Sequence, residues 1–91
     1  MSIFVSVPAA LRQFTHDKSK IDMDASTVEE VIMKLDDLFP GLKTFILDED
    51  RSLRRFVNIF VNNDDIRSGV GLMTQLRDGD HVQIIPAVAG G

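Results

Sequence analysis

The sequence contains no cysteine among its 91 residues. Disulfides, thiolate metal sites and thiol nucleophiles are therefore excluded. The absence also fits a reducing compartment, and we expect a cytoplasmic protein. Hydrophobic residues make up 44% and charged residues 26% of the chain, as in ordinary globular domains. A chain of this size predicts a single domain, residues 1–91, with one modest core.

Long apolar runs and a surplus of positive charge are also missing. No segment approaches the ~20 apolar residues that a membrane-spanning helix needs. The apolar stretch at 3–11 lacks the basic flank of a signal peptide and alternates like a strand. The formal net charge of −4 argues against a nucleic-acid partner. We therefore expect neither a membrane nor a nucleic acid as partner. The one basic cluster is interpreted as the solvated start of a strand, and it consists of Arg51, Arg54 and Arg55.

Side chains with the spacing of a catalytic or metal site are missing as well. The sequence has no Ser-His-Asp set, no suitable carboxylate pair and no phosphate-binding loop. His16 and His81 are isolated and are interpreted as solvated surface residues. The Asn/Asp cluster at 62–65 lacks the calcium-loop spacing and predicts a hairpin turn. We expect no catalytic residue, no metal and no cofactor bound by this chain, which is then not an enzyme by itself.

Alternating residues predict two strands at the start of the chain. SIFVSVP and KIDMD each alternate apolar and polar side chains, and the polar, turn-like HDKSK lies between them. A period of two is typical of a half-buried strand, and Pro8 ends the first one. The two strands are predicted to pair as a hairpin. Their inward residues are Ile3, Val5, Val7, Ile21 and Met23.

The segment ASTVEEVIMKLDDLFPG predicts a helix near residues 27–39. Ser26 or Thr27 can cap its N-terminus, Glu29 or Glu30 can complete a capping box, and a Pro-Gly pair ends it. Its apolar residues recur at the spacing of a helix that lies on a sheet. They are Val28, Val31, Ile32, Leu35, Leu38 and Phe39.

The second half of the chain predicts three more strands. Residues 42–54 predict a short helical turn and then an exposed acidic loop. The strongest strand pattern is RFVNIFVN (55–62), followed by the turn at 62–65 and a short strand at Ile66. A turn at 78–80 leads to the final strand. The inward residues of this half are Val57, Ile59, Val61, Val82 and Ile84. The element order predicts an α+β fold, the ubiquitin-like β-grasp, in which a mixed sheet packs on one main helix.

The same alternation places apolar side chains on the outer face of the sheet. Phe4, Phe60 and Ile85 are predicted to point outward on neighbouring strands. An exposed apolar set of this kind is typical of an interaction surface, and we expect these residues to bind a partner. Two alternatives stay open: a loop or small helix covers the patch, or a bulge reverses the facing of a strand.

Several motifs resemble one family along essentially the whole chain. MSIFVSVP is similar to the first strand of ubiquitin, and HVQIIPAVAGG resembles the last strand and Gly-Gly tail of the MoaD/ThiS-type sulfur carriers. DGDHV before that strand and PAVAGG after it carry most of the resemblance. The combination of RFVNIFVN with PAVAGG is most similar to the carriers of the cysteine-synthesis branch, whereas the molybdopterin synthase small subunit more often has a second proline at the position of Ala87.

The resemblance implies a specific chemistry for the tail. In the family a partner E1-like adenylating enzyme uses ATP to activate the terminal main-chain carboxylate, here Gly91, and a sulfur donor converts it to a thiocarboxylate. Gly90 and Ala89 would enter the partner's narrow active site as part of a flexible tail, because small residues let the backbone approach closely. A sulfur-accepting enzyme, such as a cysteine synthase or the large subunit of molybdopterin synthase, would then take the sulfur.

Three alternatives to cysteine-pathway sulfur delivery remain open at this point. A ubiquitin-like modifier joined to other proteins through Gly91 would begin with the same adenylate. A permanent small subunit of molybdopterin synthase would insert its tail into a larger catalytic subunit. An adaptor with incidental glycines would use neither chemistry.

Overall fold

The computed structural model describes residues 2–86. The predicted tail residues Ala89, Gly90 and Gly91 lie outside this range. The sheet strands are β1 (Ser2–Ser6), β2 (Lys20–Asp24), β3 (Val57–Val61), β4 (Asp64–Asp65) and β5 (His81–Pro86). The helices are α1 (Val28–Leu38) and α2 (Leu42–Ile46), with short 3-10 helices at Ala9–Phe14, Ile66–Ser68 and Gly71–Met73.

The five strands form one mixed sheet in the order β2-β1-β5-β3-β4. β1 and β5 are parallel, with Val5 opposite Val82, and the other neighbouring pairs are antiparallel. The first two strands form the predicted hairpin, and the last long strand inserts between β1 and β3. This is the ubiquitin-like β-grasp topology expected from the element order.

One face of the sheet packs against α1 to form the core. The inward residues of β1, β3 and β5 alternate as predicted and are almost fully buried, among them Val5, Ile59 and Val82 at 0% exposure. Ile21 of β2 is buried, whereas Met23 packs against the core while partly exposed. The apolar stripe of α1 joins the same cluster through Val28, Val31, Ile32 and Leu35.

The start of α1 is the predicted capping box, divided between two residues. The Thr27 hydroxyl accepts a hydrogen bond from the Glu30 N–H at 3.1 Å, and the Glu30 carboxylate accepts the Ser26 N–H at 2.7 Å. At the other end the prediction for Leu38 is wrong, because its side chain is 57% exposed. Leu38 lies at the margin of the stripe in the last helical position, and Phe39 takes the place in the core instead.

Two connections differ from the prediction. Between β1 and β2 the chain forms a 3-10 helix, Ala9–Phe14, which the sequence pattern did not indicate and which buries Leu11. The short strand predicted at Ile66 is Asp64–Asp65 instead, and Ile66 begins a 3-10 helix with its side chain buried. The physical reason is the Asp65 carboxylate, which accepts the Arg67 N–H at 2.9 Å and turns the chain out of the sheet.

Within residues 2–86, every helix is too short or too polar to traverse a lipid bilayer. The same part of the chain brings together no group of three or more side chains that could bind a metal ion.

Candidate functional site

The predicted reactive tail follows the central strand of the sheet. β5 pairs with β1 on one side and with β3 on the other, and its last paired residue is Pro86, opposite Val57. We call the end of the sheet at Pro86 the tail root. Tail insertion by Ala89 and Gly90 and sulfur attachment at Gly91 stay predictions, because these residues lie beyond the described range.

The beginning of β5 is fixed by a tight turn. Gly79 adopts φ +87°, a conformation that side chains disfavour, and its N–H donates to the Ser2 carbonyl at 2.7 Å. Asp80 accepts hydrogen bonds from the Arg77 N–H at 2.8 Å and from the Asn62 amide at 2.7 Å. The Asn62 side chain in turn accepts the His81 N–H at 2.9 Å. These bonds set the register of β5, and thereby the position from which the tail emerges.

Phe4 faces outward as predicted but is largely covered by polar side chains. The His81 ring stacks on it with a centroid distance of 4.4 Å, and the Lys20 ammonium lies 4.7 Å from its centroid. The Ser6 hydroxyl lies 2.5 Å from Nε2 of His81 and orients the imidazole. The interpretation of His81 as a solvated residue is therefore wrong, since it is half-buried in this cluster, whereas His16 is exposed as expected.

The three predicted partner-binding residues are not equally accessible. Phe60 is half-buried on β3 opposite Gln83, whereas Ile85 is 43% exposed opposite Asn58. Phe4 is paired with His81, two residues before Gln83 along β5. The structure thus places all three on the outer face. Phe60 and Ile85 are diagonal neighbours in the β3–β5 register, whereas Phe4 is covered by His81. Their role in partner binding stays a prediction.

Sequence reasoning missed two other exposed aromatic residues, Phe45 and Phe56. They line a shallow groove with Thr44 and Arg54, and they are 47% and 57% exposed. Phe56 directly precedes Val57, the partner of Pro86, so this groove lies beside the tail root. The exposure of Phe56 could have been predicted from the alternation along 55–62. This alternation places Phe56 on the same outer side as Asn58.

The described residues place an exposed groove beside the tail root. β5 holds the tail root at the middle of the sheet, and the exposed groove adjoins it.

The comparisons with known proteins agree with this geometry. The ThiS family model matches residues 5–91. The sulfur carrier protein CysO of Mycobacterium tuberculosis (strain ATCC 25618 / H37Rv) is 40% identical over 93 residues, with 100% of each chain covered. Small archaeal modifier protein 3 of Haloferax volcanii is 35% identical over 86 residues, with 91% of each chain covered.

A solved structure extends the likeness to three dimensions. The crystal structure of the Amycolatopsis orientalis BexX/CysO complex contains a chain that matches with a TM-score of 0.91 and 37% identity. The match covers 98% of this chain and 99% of that one. Because the family model spans nearly the whole chain and full-length relatives exceed 30% identity, this chain belongs to the ThiS family.

Proposed function

We propose that this protein is a sulfur carrier whose terminal Gly91 carboxylate is converted to a thiocarboxylate for biosynthesis. The observation that carries the proposal is the family match, which runs from within β1 to Gly91 and so includes the tail. The 40% identity to a full-length sulfur carrier supports the same function. The chain contains no cysteine that could carry sulfur on a side chain.

Activation comes first, because an α-carboxylate with a pKa of about 3.3–3.7 is an unreactive anion at neutral pH. A carboxylate oxygen of Gly91 attacks the α-phosphorus of ATP. An acyl–phosphate bond forms, the bond between the α- and β-phosphates breaks, and pyrophosphate leaves. Hydrosulfide then attacks the acyl carbon and forms a C–S bond, AMP leaves with the electron pair of the broken C–O bond, and the S–H proton is lost to solvent. The product is a thiocarboxylate, whose sulfur is a nucleophile.

The chain's own contribution is presentation of the tail. β5 pairs with β1 at its start and with β3 as far as Pro86, so the body of the domain holds the tail root. A five-residue segment can span at most about 18 Å when fully extended. The adenylating enzyme must therefore bring ATP to within that distance of Pro86. ATP is used by the partner enzyme in this proposal, and the carrier itself holds no cofactor.

Cysteine synthesis is the proposed destination of the sulfur. RFVNIFVN and PAVAGG resemble that branch, and the name CysO belongs to a relative that is similar over its full length. The proposed partners are an E1-like adenylating enzyme, a sulfur donor, and a sulfur-accepting enzyme of the cysteine-synthase type.

Two tail variants test the mechanism. One carries an additional alanine after Gly91, which replaces the reactive carboxylate by an amide, and the other lacks Gly91, which shortens the reach by about 3.3–3.6 Å. Both should melt like wild type, yet neither should support ATP–pyrophosphate exchange with the cognate adenylating enzyme. Wild type should exchange and, after sulfide addition, gain the mass difference between sulfur and oxygen. Exchange by the extended variant at the wild-type rate, without trimming, would contradict the mechanism.

A second function, conjugation to other proteins, is favoured by the 35% identity to a small archaeal modifier protein. In this case the adenylate would be transferred through Gly91 to lysine amines, with formation of an isopeptide bond and release of AMP. Intact-mass analysis separates the two functions. A carrier shows the exchange of one oxygen for sulfur, whereas a modifier produces a series of heavier conjugates.

A further inference from the structure

Side chains of two kinds lie near the tail root. Ile85 lies one residue before the end of β5, and Phe56 lies next to the residue that pairs with Pro86. Phe45 and Arg54 share the groove with Phe56. We call the complete set the collar, and it consists of three arginines and three large apolar residues: Phe45, Arg54, Arg55, Phe56, Arg67 and Ile85.

Arg67 is the member of the collar whose side chain makes two hydrogen bonds. Its guanidinium donates to the Asn58 side-chain oxygen at 2.7 Å and to the Arg54 carbonyl at 2.6 Å. Both acceptors are neutral amide oxygens, so the positive charge is fixed in place without being neutralised by them. Asn58 lies directly opposite Ile85 in the β3–β5 ladder. A fixed cation therefore stands beside an exposed aliphatic side chain at the tail root.

The short length of β4 is what makes this position available. β4 has two residues and pairs with Phe60 and Val61, so within residues 2–86 no strand pairs with β3 at Asn58 on the side away from β5. The Arg67 side chain occupies that edge through its bond to Asn58. Among the described residues this guanidinium has no further acceptor, which leaves hydrogens that can bond a carboxylate, the planar acceptor that this group matches best.

The collar has the opposite charge to the chain as a whole. The formal net charge is −4, yet residues 51–60 contain three arginines and no acidic residue. The acidic residues of β2, Asp22 and Asp24, lie at the other edge of the sheet. Those of β4 pair with the opposite end of β3, away from Val57. Arg54 lines a hollow with the acidic loop at 48–50, so the positive charge of the collar rests on Arg55 and Arg67.

We propose that the collar docks on the mouth of the adenylating enzyme's tail channel, and that this mouth is an apolar surface with carboxylates at its rim. The inference rests on the proposed function, since an enzyme that takes in the tail must contact what surrounds the tail root. The three apolar residues supply contact area, because each is 43–57% exposed. The arginines select an acidic partner and fix the angle of approach.

Charge reversal with a matched control tests the arginines. Arg67→Glu and Arg55→Glu are compared with Arg77→Glu. The control changes the net charge by the same amount, but Arg77 precedes β5 and lies at the opposite end of the sheet. The measurement is ATP–pyrophosphate exchange with the adenylating enzyme at several carrier concentrations. We expect the KM for the carrier to rise about tenfold or more in the two collar variants, with the effect on KM rather than kcat, and by less than about twofold in the control. High salt should raise the KM of wild type and reduce these differences.

The apolar residues are tested in the same assay. Phe56→Ser is compared with Met73→Ser, because the two side chains are 57% and 62% exposed and Met73 lies on a separate 3-10 helix. Only Phe56→Ser should raise the KM.

The outcomes separate the docking inference from the proposed function. Equal KM values for Arg67→Glu and Arg77→Glu, with both proteins folded, would overturn the docking inference and leave adenylation intact. If Arg67→Glu loses its melting transition, Arg55→Glu decides, because no hydrogen bond of its side chain is found within residues 2–86. Absence of exchange in wild type itself would overturn the proposed function, and the inference with it.

Discussion

The rings of Phe4 and His81 stack at a centroid distance of 4.4 Å, with 14° between their planes, and join the parallel strands β1 and β5 on the outer face of the sheet. Phe4 alone would be an exposed aromatic residue on this face. The imidazole, oriented by Ser6, covers it and makes the stack part of the structure of the domain. The stability of Phe4 and His81 variants can therefore be measured and interpreted separately from partner docking.

Replacing His81 by alanine should lower the free energy of unfolding by about 1 kcal/mol, since a stacked aromatic pair contributes roughly 0.5–1.5 kcal/mol beyond its buried area. His81→Phe is the matched control, because it retains a ring over Phe4 while removing the contact with Ser6. The measurement is urea denaturation. A loss as large for phenylalanine as for alanine would indicate that the Ser6 contact, and not stacking, stabilises this site.

Leu35 and Leu38 differ in burial although both belong to the predicted apolar stripe of α1. Leu35 is fully buried and Leu38 is 57% exposed. Leu35→Ala should cost about 2–5 kcal/mol, because it leaves a cavity in the core. Leu38→Ala should change stability by less than about 0.5 kcal/mol. Thermal melts of the two variants check the expectation, and equal destabilisation would contradict the orientation of the end of α1.

Ile85→Asp is expected to weaken binding to the adenylating enzyme while the domain stays folded, because Ile85 is 43% exposed and adjoins the tail root. Phe60→Asp is expected to weaken binding too, but with some loss of stability, because Phe60 is half-buried. Titration calorimetry measures the affinity and circular dichroism the melt. Unchanged affinity of a folded Ile85→Asp protein would remove Ile85 from the partner-binding surface.

The acidic loop after α2 provides a test by pH. The pKa of Asp50 is lowered from its ordinary value by hydrogen bonding with the Asp48 side chain and then with Ser52. Because the folded pKa is the lower one, the carboxylate contributes stability at a pH above its unfolded pKa, about 3.9, and that contribution is lost as the pH falls through the folded pKa. NMR titration of the side-chain carbonyl should show a midpoint below the ordinary value, and Ser52→Ala should move the midpoint upward. An unchanged midpoint in Ser52→Ala would exclude the hydroxyl and leave the Ser52 backbone N–H, which donates to Asp50 at 3.0 Å, as the contribution of this residue.

The sequence predicts those parts of the fold that depend on local periodicity. The alternation of Ile3 and Val5, or of Val57 and Ile59, identifies the buried face without knowledge of the partner strands. The stripe that includes Leu35 does the same for α1. These patterns are strong because one face of each element is buried by the same core.

Features that depend on pairs distant in sequence could not be predicted in this way. His81 covers Phe4 because β5 pairs with β1 in a register that places them side by side. Arg67 reaches Asn58 because Asp65 turns the chain out of the sheet after two residues of strand. The 3-10 helix Ala9–Phe14 has a short apolar sequence with no repeat long enough to reveal it.

The position of β5 between β1 and β3 has a mechanical consequence. An enzyme that draws the tail into its active site pulls along the axis of β5. The ladder bonds on both sides run across that axis, so they bear the load together in shear and do not open one after another. Traction on the tail is transmitted to the whole sheet, and the domain moves towards the enzyme as one piece.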